Sequence, residues 1–319
     1  QINGKSGWQG CNLTEINGGM CKTEEDFYKA CRAGAILGTV QAGYTDFKFL
    51  GETSKKIFDR EALLGVSITG WMNQPEVLFN AKVLEKGAKI VKEVNREVAK
   101  IIGINPAART TCVKPSGNAS VLLQTASGIH AEHSPTYIRN VQMNKESEIT
   151  QAIMKSNPYM VEESVWSAAG TDVVVSFPII PHKGSLMKDE LLGVTHLEKV
   201  KLAQKHWVVA GTNEELCADE GIRHNVSNTI IVDDWAEVEK YVFKNRYSFS
   251  GISFLSMSGD KDYNQAPNTA VINAKQMVKE YDEAAIFASG LVVDALKVYN
   301  NLWDACSTAQ GYGLDLSLE

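Results

Sequence analysis

The chain has 319 residues, of which 44% are hydrophobic and 22% charged, and its formal net charge is −6. This is the composition of a globular protein with enough apolar content for a large core. The acidic balance, without a lysine and arginine block, argues against a nucleic-acid surface. No apolar run approaches the ~20 residues of a membrane span and no signal peptide is recognisable, so we expect no membrane association.

The cysteines form no CxxC pair and show no ligand spacing with histidine, so we predict no metal site. Their scatter is typical of a reducing compartment, in which most cysteines are buried and inert, and it predicts a cytoplasmic protein. The six are Cys11, Cys21, Cys31, Cys112, Cys217 and Cys306.

The first part of the chain alternates short strands with helices. It begins at Gln1 with no capping element, which we interpret as a start in the middle of a domain. Glycine-bounded, β-branched runs predict strands, and apolar positions at steps of three and four predict helices. The predicted elements are a strand at 11–16, helices at 24–40 and 44–64 (the latter broken near 51), a strand at 65–70 and a helix at 75–102.

The region around residues 109–131 combines a strand, a tight turn and a helix. Thr110–Lys114 is predicted as a strand, Pro115-Ser-Gly-Asn118 as a turn, and a helix starts at about Asn118. A helix that follows a glycine turn directs unpaired N–H groups into that turn, which is a general anion cradle. The pattern fits equally an ordinary connection in which Ser116 or Asn118 caps the helix.

The remainder continues the alternation, which predicts an α/β protein with a mainly parallel sheet or barrel. No linker or repeat interrupts it, so we expect a single domain over residues 1–319, or part of one. The predicted strands are 137–142, 172–177, 226–232 and 251–255, and the predicted helices are 146–156, 197–210, 234–245 and 277–303, followed by a frayed end at 309–319.

Four stretches, in order, resemble the catalytic barrel of ribonucleotide reductases, and most closely the adenosylcobalamin-dependent (class II) ribonucleoside-triphosphate reductases. Each is weak by itself, but four in the family's order are specific. They are Cys11-Asn-Leu-Thr-Glu15, Arg60-Glu-Ala-Leu-Leu-Gly-Val-Ser-Ile-Thr-Gly70, Lys114-Pro-Ser-Gly-Asn-Ala-Ser120 with Ser127-Gly-Ile-His130 and Tyr137-Ile-Arg139, and Ile252-Ser-Phe-Leu255 with Tyr263-Asn-Gln-Ala-Pro267.

The resemblance implies a fold and site residues. The fold would be the second half, with about five parallel strands, of the family's ten-stranded α/β barrel, beginning just after the finger loop. Cys11 would be one of two redox-active cysteines, with its disulfide partner outside this chain. The substrate phosphates would lie on a loop made of Pro115, Ser116, Gly117, Asn118, Ala119 and Ser120, where the family more often has threonine than Asn118.

The resemblance also implies partners. The cofactor would be adenosylcobalamin, the substrate a ribonucleotide, and the reductant a thioredoxin-like protein. The radical cysteine, in an Asn-Pro-Cys-x-Glu setting, would belong to an N-terminal half that completes the barrel, because that pattern does not occur in these 319 residues. Two alternatives stay open: an anaerobic glycyl-radical reductase, faintly indicated by Ala309-Gln-Gly-Tyr-Gly313, and a non-catalytic half-barrel that only binds nucleotides.

Other reactive residues are expected to be structural. His130 and His133 lie in a turn and lack further ligands, so we expect hydrogen-bonded structural roles for both. Cys112, on the buried strand, is expected to pack in the core.

Overall fold

The computed structural model describes residues 2–135, 137–179, 181–257 and 265–270. The predicted helix at 277–303, the terminal segment at 309–319, Cys306, and the Tyr263-Asn264 part of the last motif lie outside them. The strands are β1 (Asn12–Asn17), β2 (Leu64–Thr69), β3 (Tyr137–Asn144), β4 (Val161–Glu163), β5 (Asp172–Ile179), β6 (Thr229–Val232), β7 (Ser253–Ser256) and β8 (Asn268–Ala270).

Helices separate these strands along most of the chain, which makes the protein a mixed α/β structure. They are α1 (Glu24–Ala42), α2 (Gly51–Glu61), α3 (Pro75–Leu78), α4 (Ala81–Ile102), α5 (Gly117–Leu123), α6 (Glu148–Ser156), α7 (Gly193–Ala203), which continues as a π-helical segment at Gln204–Val209, and α8 (Trp235–Asn245). None of the helices in the described ranges has the length and apolar character needed to cross a membrane.

The described residues divide into two compact units. The first contains residues 2–132 and 181–257, and the second contains residues 133–135, 137–179 and 265–270. The expectation of a single domain stays a prediction.

The first unit is organised by parallel strand pairing. β1 pairs with β2 in the register Asn12↔Leu64 to Asn17↔Thr69, and β6 pairs with β7 in the same sense. The predicted strand at Thr110–Lys114 is reduced to isolated parallel bridges, which join Val66 to Thr111 and Val113 to Val226. The segment 109–113 therefore lies between the two strand pairs.

One face of the β1–β2 pair packs against α1, which starts with a capping box. The Thr23 hydroxyl accepts from the Asp26 N–H, and Asp26 accepts from the Thr23 N–H. Glycines along α1 allow close approach to the sheet, and the Thr14 hydroxyl donates to the Gly34 carbonyl at 3.1 Å. All six residues of β2 are buried, as expected of a strand covered on both faces.

Helix α4 packs against α1 and against the π-helical segment that continues α7. Asn80 caps it by accepting from the N–H groups of Lys82 and Val83, and Gly103, at φ +76°, ends it. The predicted continuous helix at 75–102 is therefore wrong, because the Asn80 cap separates α3 from α4. The predicted helix at 44–64 is likewise shorter, since only Gly51–Glu61 is helical.

The second unit is an antiparallel sheet in the order β4-β5-β3-β8. Strand β3 runs opposite to β5 from Tyr137↔Ile179 to Asn144↔Asp172. The expectation of a mainly parallel sheet thus describes the first unit and is wrong for the second. A run such as Val173–Val175, which is buried at every position, predicts a covered strand but not its direction.

A buried ion pair ties α2 to the segment 109–113. The guanidinium of Arg109 donates to Glu61 at 3.0 Å, and both side chains are less than 10% exposed. Glu61 also accepts hydrogen bonds from Gln9 and Arg60. The carboxylate thus holds together three parts of the first unit that are distant in sequence.

We predict that Glu61→Gln lowers the free energy of unfolding by about 3 kcal/mol, because it leaves the Arg109 charge buried without its counter-ion. Urea titration measures this. The matched control is Glu52→Gln, whose side chain is 72% exposed beside Lys56, and we expect little change there. Equal effects of the two substitutions would contradict the assignment.

Candidate active site

The start of the predicted phosphate loop is anchored by β2 and by the segment that follows α5. The Lys114 N–H donates to the Ser67 hydroxyl at 2.9 Å, and the Ser127 hydroxyl donates to the Pro115 carbonyl. Gly128, at φ +53°, lies so close that a Cβ there would stand 2.6 Å from the Lys114 carbonyl oxygen. The loop therefore starts from an anchored position at the carboxyl end of the segment 109–113.

The turn itself is built on Ser116, which has the left-handed conformation φ 57°, ψ 35°. The side chain of Ser116 makes no capping hydrogen bond, so the alternative in which Ser116 caps the helix is wrong, and α5 begins one residue earlier than predicted. The first helical hydrogen bond joins the Ser120 N–H to the Ser116 carbonyl at 2.8 Å. The N–H groups of residues 117–119 are then donors without an acceptor inside the helix.

Ser120 and Gly117 shape the described part of this loop. Ser120 is buried, and its hydroxyl donates to the Gly117 carbonyl at 3.0 Å. No atom lies within 4 Å of a Cβ built on Gly117, so the backbone is approachable there. The arrangement favours recognition of an anion by backbone N–H groups.

Cys11 lies directly before β1, on the face of the sheet opposite α1. We call this the thiol face and define it by Cys11, Leu13, Glu15, Gly65 and Ser67. A Cβ at Gly65 would stand 2.7 Å from the Cys11 sulfur and 3.0 Å from the Cys112 sulfur. Two thiols therefore converge where residue 65 has no side chain.

The thiols differ in their surroundings. Burial raises the pKa of Cys11 to about 11, although the nearby charges of Lys114 and Arg109 lower it. Cys112 is 1% exposed, which confirms the prediction of a buried residue, and burial raises its pKa further still. Cys11 is the more accessible thiol of the two.

His224 lies beside Cys11, although 213 residues separate them in sequence. Its Nε2 is 3.8 Å from the Cys11 sulfur, and its Nδ1 is 3.0 Å from the Thr111 carbonyl oxygen. A carbonyl can only accept, so Nδ1 carries the hydrogen and Nε2 presents a lone pair to the thiol. Burial lowers the pKa of His224 to about 4, so the ring is neutral at pH 7.

Glu15 connects the thiol face to the phosphate loop. The Ser67 hydroxyl donates to its carboxyl at 3.1 Å and accepts from the N–H of Lys114, the first residue of the loop motif. Burial raises the pKa of Glu15 to about 7, against the opposing effect of the Ser67 hydroxyl. A carboxyl that titrates near neutral pH thus lies next to the proposed anion site.

His130 has the structural role predicted for it. Its Nδ1 bonds the Ser127 carbonyl at 2.9 Å, and its Nε2 accepts from the Thr229 N–H at 3.0 Å. It lines a cavity of about 80 Å³ together with His196. His133 belongs to the second unit, where its ring packs 5.5 Å from that of Tyr137.

The structure thus adds Glu15, Ser67 and His224 to the residues predicted from sequence. The spacing of Cys11 and Glu15 was a usable signal, because residues four apart on a strand share a face. His224 has no local signal, since it reaches Cys11 only through the bridge that joins Val113 to Val226.

Two curated proteins are similar to nearly the whole chain. A probable adenosylcobalamin-dependent ribonucleoside-triphosphate reductase of Dictyostelium discoideum is 26% identical over 91% of this chain and 36% of its own length. An adenosylcobalamin-dependent ribonucleoside-triphosphate reductase of Euglena gracilis is 24% identical over 86% of the chain and 35% of its own length. These matches confirm the predicted resemblance, and the chain spans about a third of either relative.

The fold is also shared with a solved structure, described as a B12-dependent (class II) ribonucleotide reductase. The TM-score is 0.65 with 17% identity, over 86% of this chain and 40% of the other. At that identity the similarity establishes the fold. No family model matches the chain.

We predict that Glu15→Gln changes the pH dependence of stability. Because the pKa of the carboxyl is raised in the folded state, its contribution is fully present below pH ~4.5 and is lost as the pH rises through ~7. The Glu15→Gln variant has no such contribution to lose. Its free energy of unfolding relative to that of the parent should therefore increase from pH ~4.5 to pH ~7, by up to about 3 kcal/mol. Urea titrations at pH 5 and pH 8 measure the difference.

The control for this prediction is Glu97→Gln, at an exposed carboxylate 4.0 Å from Arg32. We expect its effect to be similar at the two pH values. A Glu15→Gln effect that is also independent of pH would show that this carboxyl is ionised throughout.

Proposed function

We propose that the chain forms the second half of the catalytic barrel of an adenosylcobalamin-dependent ribonucleoside-triphosphate reductase, and that the assembled enzyme reduces ribonucleotides to 2′-deoxyribonucleotides for DNA replication. The observation that carries the proposal is the placement of Cys11 and the loop 115–120 on one parallel sheet, joined through Glu15 and Ser67. The names of both curated relatives point to the same activity.

The half-barrel architecture is supported by the strand order. Five parallel segments follow one another as β1, β2, residues 109–113, residues 226–232 and β7. In the described residues β1 pairs only with β2, and β7 only with β6, so an edge remains on each side for further strands. Leu13 is 44% exposed on the thiol face, as expected of a residue that a second half would cover.

The ribonucleotide would be held by its phosphates on the loop, with the sugar directed towards Cys11. The donors are the N–H groups of residues 117–119, and the open space beside Gly117 admits an oxygen close to the backbone. Pro115 and Ser116 shape the turn, and Asn118, Ala119 and Ser120 form the first helical turn. The charge of Lys114 adds to the attraction.

Cys11 would supply one of the two thiols that reduce the ribose. Removal of the 2′-hydroxyl as water requires two electrons and two protons, and two thiols provide them as they become one disulfide. The second thiol and the radical cysteine would come from the N-terminal half. A thioredoxin-like dithiol protein would then reduce the disulfide.

Adenosylcobalamin supplies radical chemistry when it is bound. The described residues do not identify contacts for it. The names of the relatives favour this cofactor over a glycyl radical. A reducing, cytoplasmic location agrees with the free thiols of Cys11, Cys21, Cys31, Cys112 and Cys217.

We predict that Cys11→Ser abolishes multiple turnovers in the complex of this chain with its complementary half, adenosylcobalamin and a dithiol reductant. The hydroxyl of serine cannot form the disulfide, so deoxyribonucleotide production measured by chromatography should fall at least 100-fold. Cys217→Ser is the control and should keep full activity, because Cys217 bonds backbone carbonyls away from the thiol face. Sustained turnover by Cys11→Ser would exclude the redox role.

We predict that Gly117→Ala raises KM for the ribonucleotide about tenfold while the fold is preserved. The new methyl group meets no protein atom within 4 Å, but it occupies the space through which a phosphate would approach the N–H groups. Steady-state kinetics measure the effect. Gly251→Ala, whose Cβ would lie 3.6 Å from Asn225, is the matched control, and an unchanged KM in both variants would contradict the phosphate assignment.

A further inference from the structure

We propose that His224 is the proton-handling residue of Cys11, in that its Nε2 takes the thiol proton when the Cys11 sulfur attacks and returns it when that sulfur leaves. Nothing in the motif resemblance assigns a role to His224. The geometry is the basis: Nε2 lies 3.8 Å from the sulfur, within reach of a hydrogen bond donated by a thiol.

The tautomer of His224 is set by the protein backbone. The segment 109–113 presents the Thr111 carbonyl oxygen 3.0 Å from Nδ1, which must therefore donate. The backbone of His224 is held in turn, since Gln204 and Ser250 both donate to its carbonyl oxygen. The ring is thus oriented with its lone pair towards Cys11, which is how a histidine base is arranged beside a nucleophile.

The other groups near Cys11 do not offer the same chemistry. Arg109 and Lys114 are cations that lower the pKa of the thiol, but a cation cannot accept the thiol proton. Arg109 is in addition bonded to Glu61. Cys112 is a thiol of still higher pKa. Glu15 titrates near pH 7, but the contact that the described residues show for its carboxyl is with the Ser67 hydroxyl, not with the Cys11 sulfur.

The pair is neutral at rest. Burial raises the pKa of Cys11 to about 11 and lowers that of His224 to about 4, so a thiol faces an unprotonated imidazole. Without a base, such a thiol would react only through the ~10⁻⁴ fraction that is ionised at pH 7. A base in contact with the thiol removes this limit, because the proton can move as the new bond forms.

Cys11 would take part in thiol–disulfide exchange. This exchange needs no redox agent other than the disulfide and the dithiol. When Cys11 attacks a disulfide, its S–H bond breaks and a new S–S bond forms. The old S–S bond breaks, and the proton passes through Nε2 to the departing sulfur. When a dithiol reductant later attacks the Cys11 disulfide, the attacking S–H gives its proton to Nε2, and the Cys11 sulfur leaves and takes that proton. The role of this exchange in turnover rests on the proposed function, whereas the contact between Cys11 and His224 does not.

The test is the pH dependence of Cys11 alkylation by iodoacetamide in the full chain, read by mass spectrometry of the Cys11 peptide. In this reaction an S–C bond replaces the S–H and C–I bonds, iodide leaves, and the proton goes to Nε2. In the parent chain the rate should be nearly constant between pH 6 and pH 8, because the neutral imidazole takes the proton as the S–C bond forms and both groups keep their protonation states over that range. In His224→Gln it should be about 100-fold lower at pH 7 and should rise tenfold per pH unit.

Controls within the same samples separate this role from a structural one. Cys217, which bonds only backbone carbonyls among the described contacts, should show the tenfold rise in both proteins. Buried Cys21 and Cys31 should stay unreactive if His224→Gln is folded. His206→Gln, at a histidine bonded to Glu85, should behave as the parent chain.

A tenfold rise per pH unit for Cys11 in the parent chain, or equal rates at pH 7 with and without His224, would overturn the proposal. If His224→Gln exposes Cys21 or Cys31, His224→Asn replaces it, and the parent profile alone still decides the matter. A constant parent rate together with an assembled enzyme that does not need Cys11 would refute the proposed function and leave the Cys11–His224 pair standing.

Discussion

The parallel register between β1, β2 and the segment 109–113 is the constraint on which the rest of the site depends. It places Glu15 opposite Ser67, and it brings the Ser67 hydroxyl within hydrogen-bonding distance of the Lys114 N–H, at the start of the proposed phosphate loop. A slip of one residue would turn these side chains to the opposite face of the sheet. The register is in turn secured by α1, which packs on the other face, and by the buried pair of Arg109 and Glu61.

Gly65 leaves the space in which the two thiols of the proposed site pack. Any side chain there would occupy the space of the sulfurs of Cys11 and Cys112. Burial raises the pKa of the Cys11 and Cys112 thiols and lowers that of His224. The same burial that makes Cys11 a poor spontaneous nucleophile keeps the imidazole unprotonated at pH 7, so its Nε2 is available to accept the thiol proton.

Sequence patterns predicted the elements of the first unit well where periodicity or capping is local. The Thr23–Asp26 start of α1 and the covered strand β2 are examples. Sequence patterns failed where a single side chain interrupts a regular pattern, as Asn80 does between α3 and α4. They also failed where the direction of a strand depends on distant partners, as for β5. The resemblance predicted Cys11 and the loop as site residues, and both stay predictions; His224 could not be predicted, because only the tertiary fold brings it to residue 11.

The central claim is that Cys11 is oxidised when this sheet face reduces a ribonucleotide. The most direct measurement is a single turnover of the assembled enzyme without external reductant, followed by mass spectrometry of its disulfides. Our account predicts about one disulfide between Cys11 and a cysteine of the complementary half for each deoxyribonucleotide formed. Formation of deoxyribonucleotide while Cys11 remains a free thiol would contradict it.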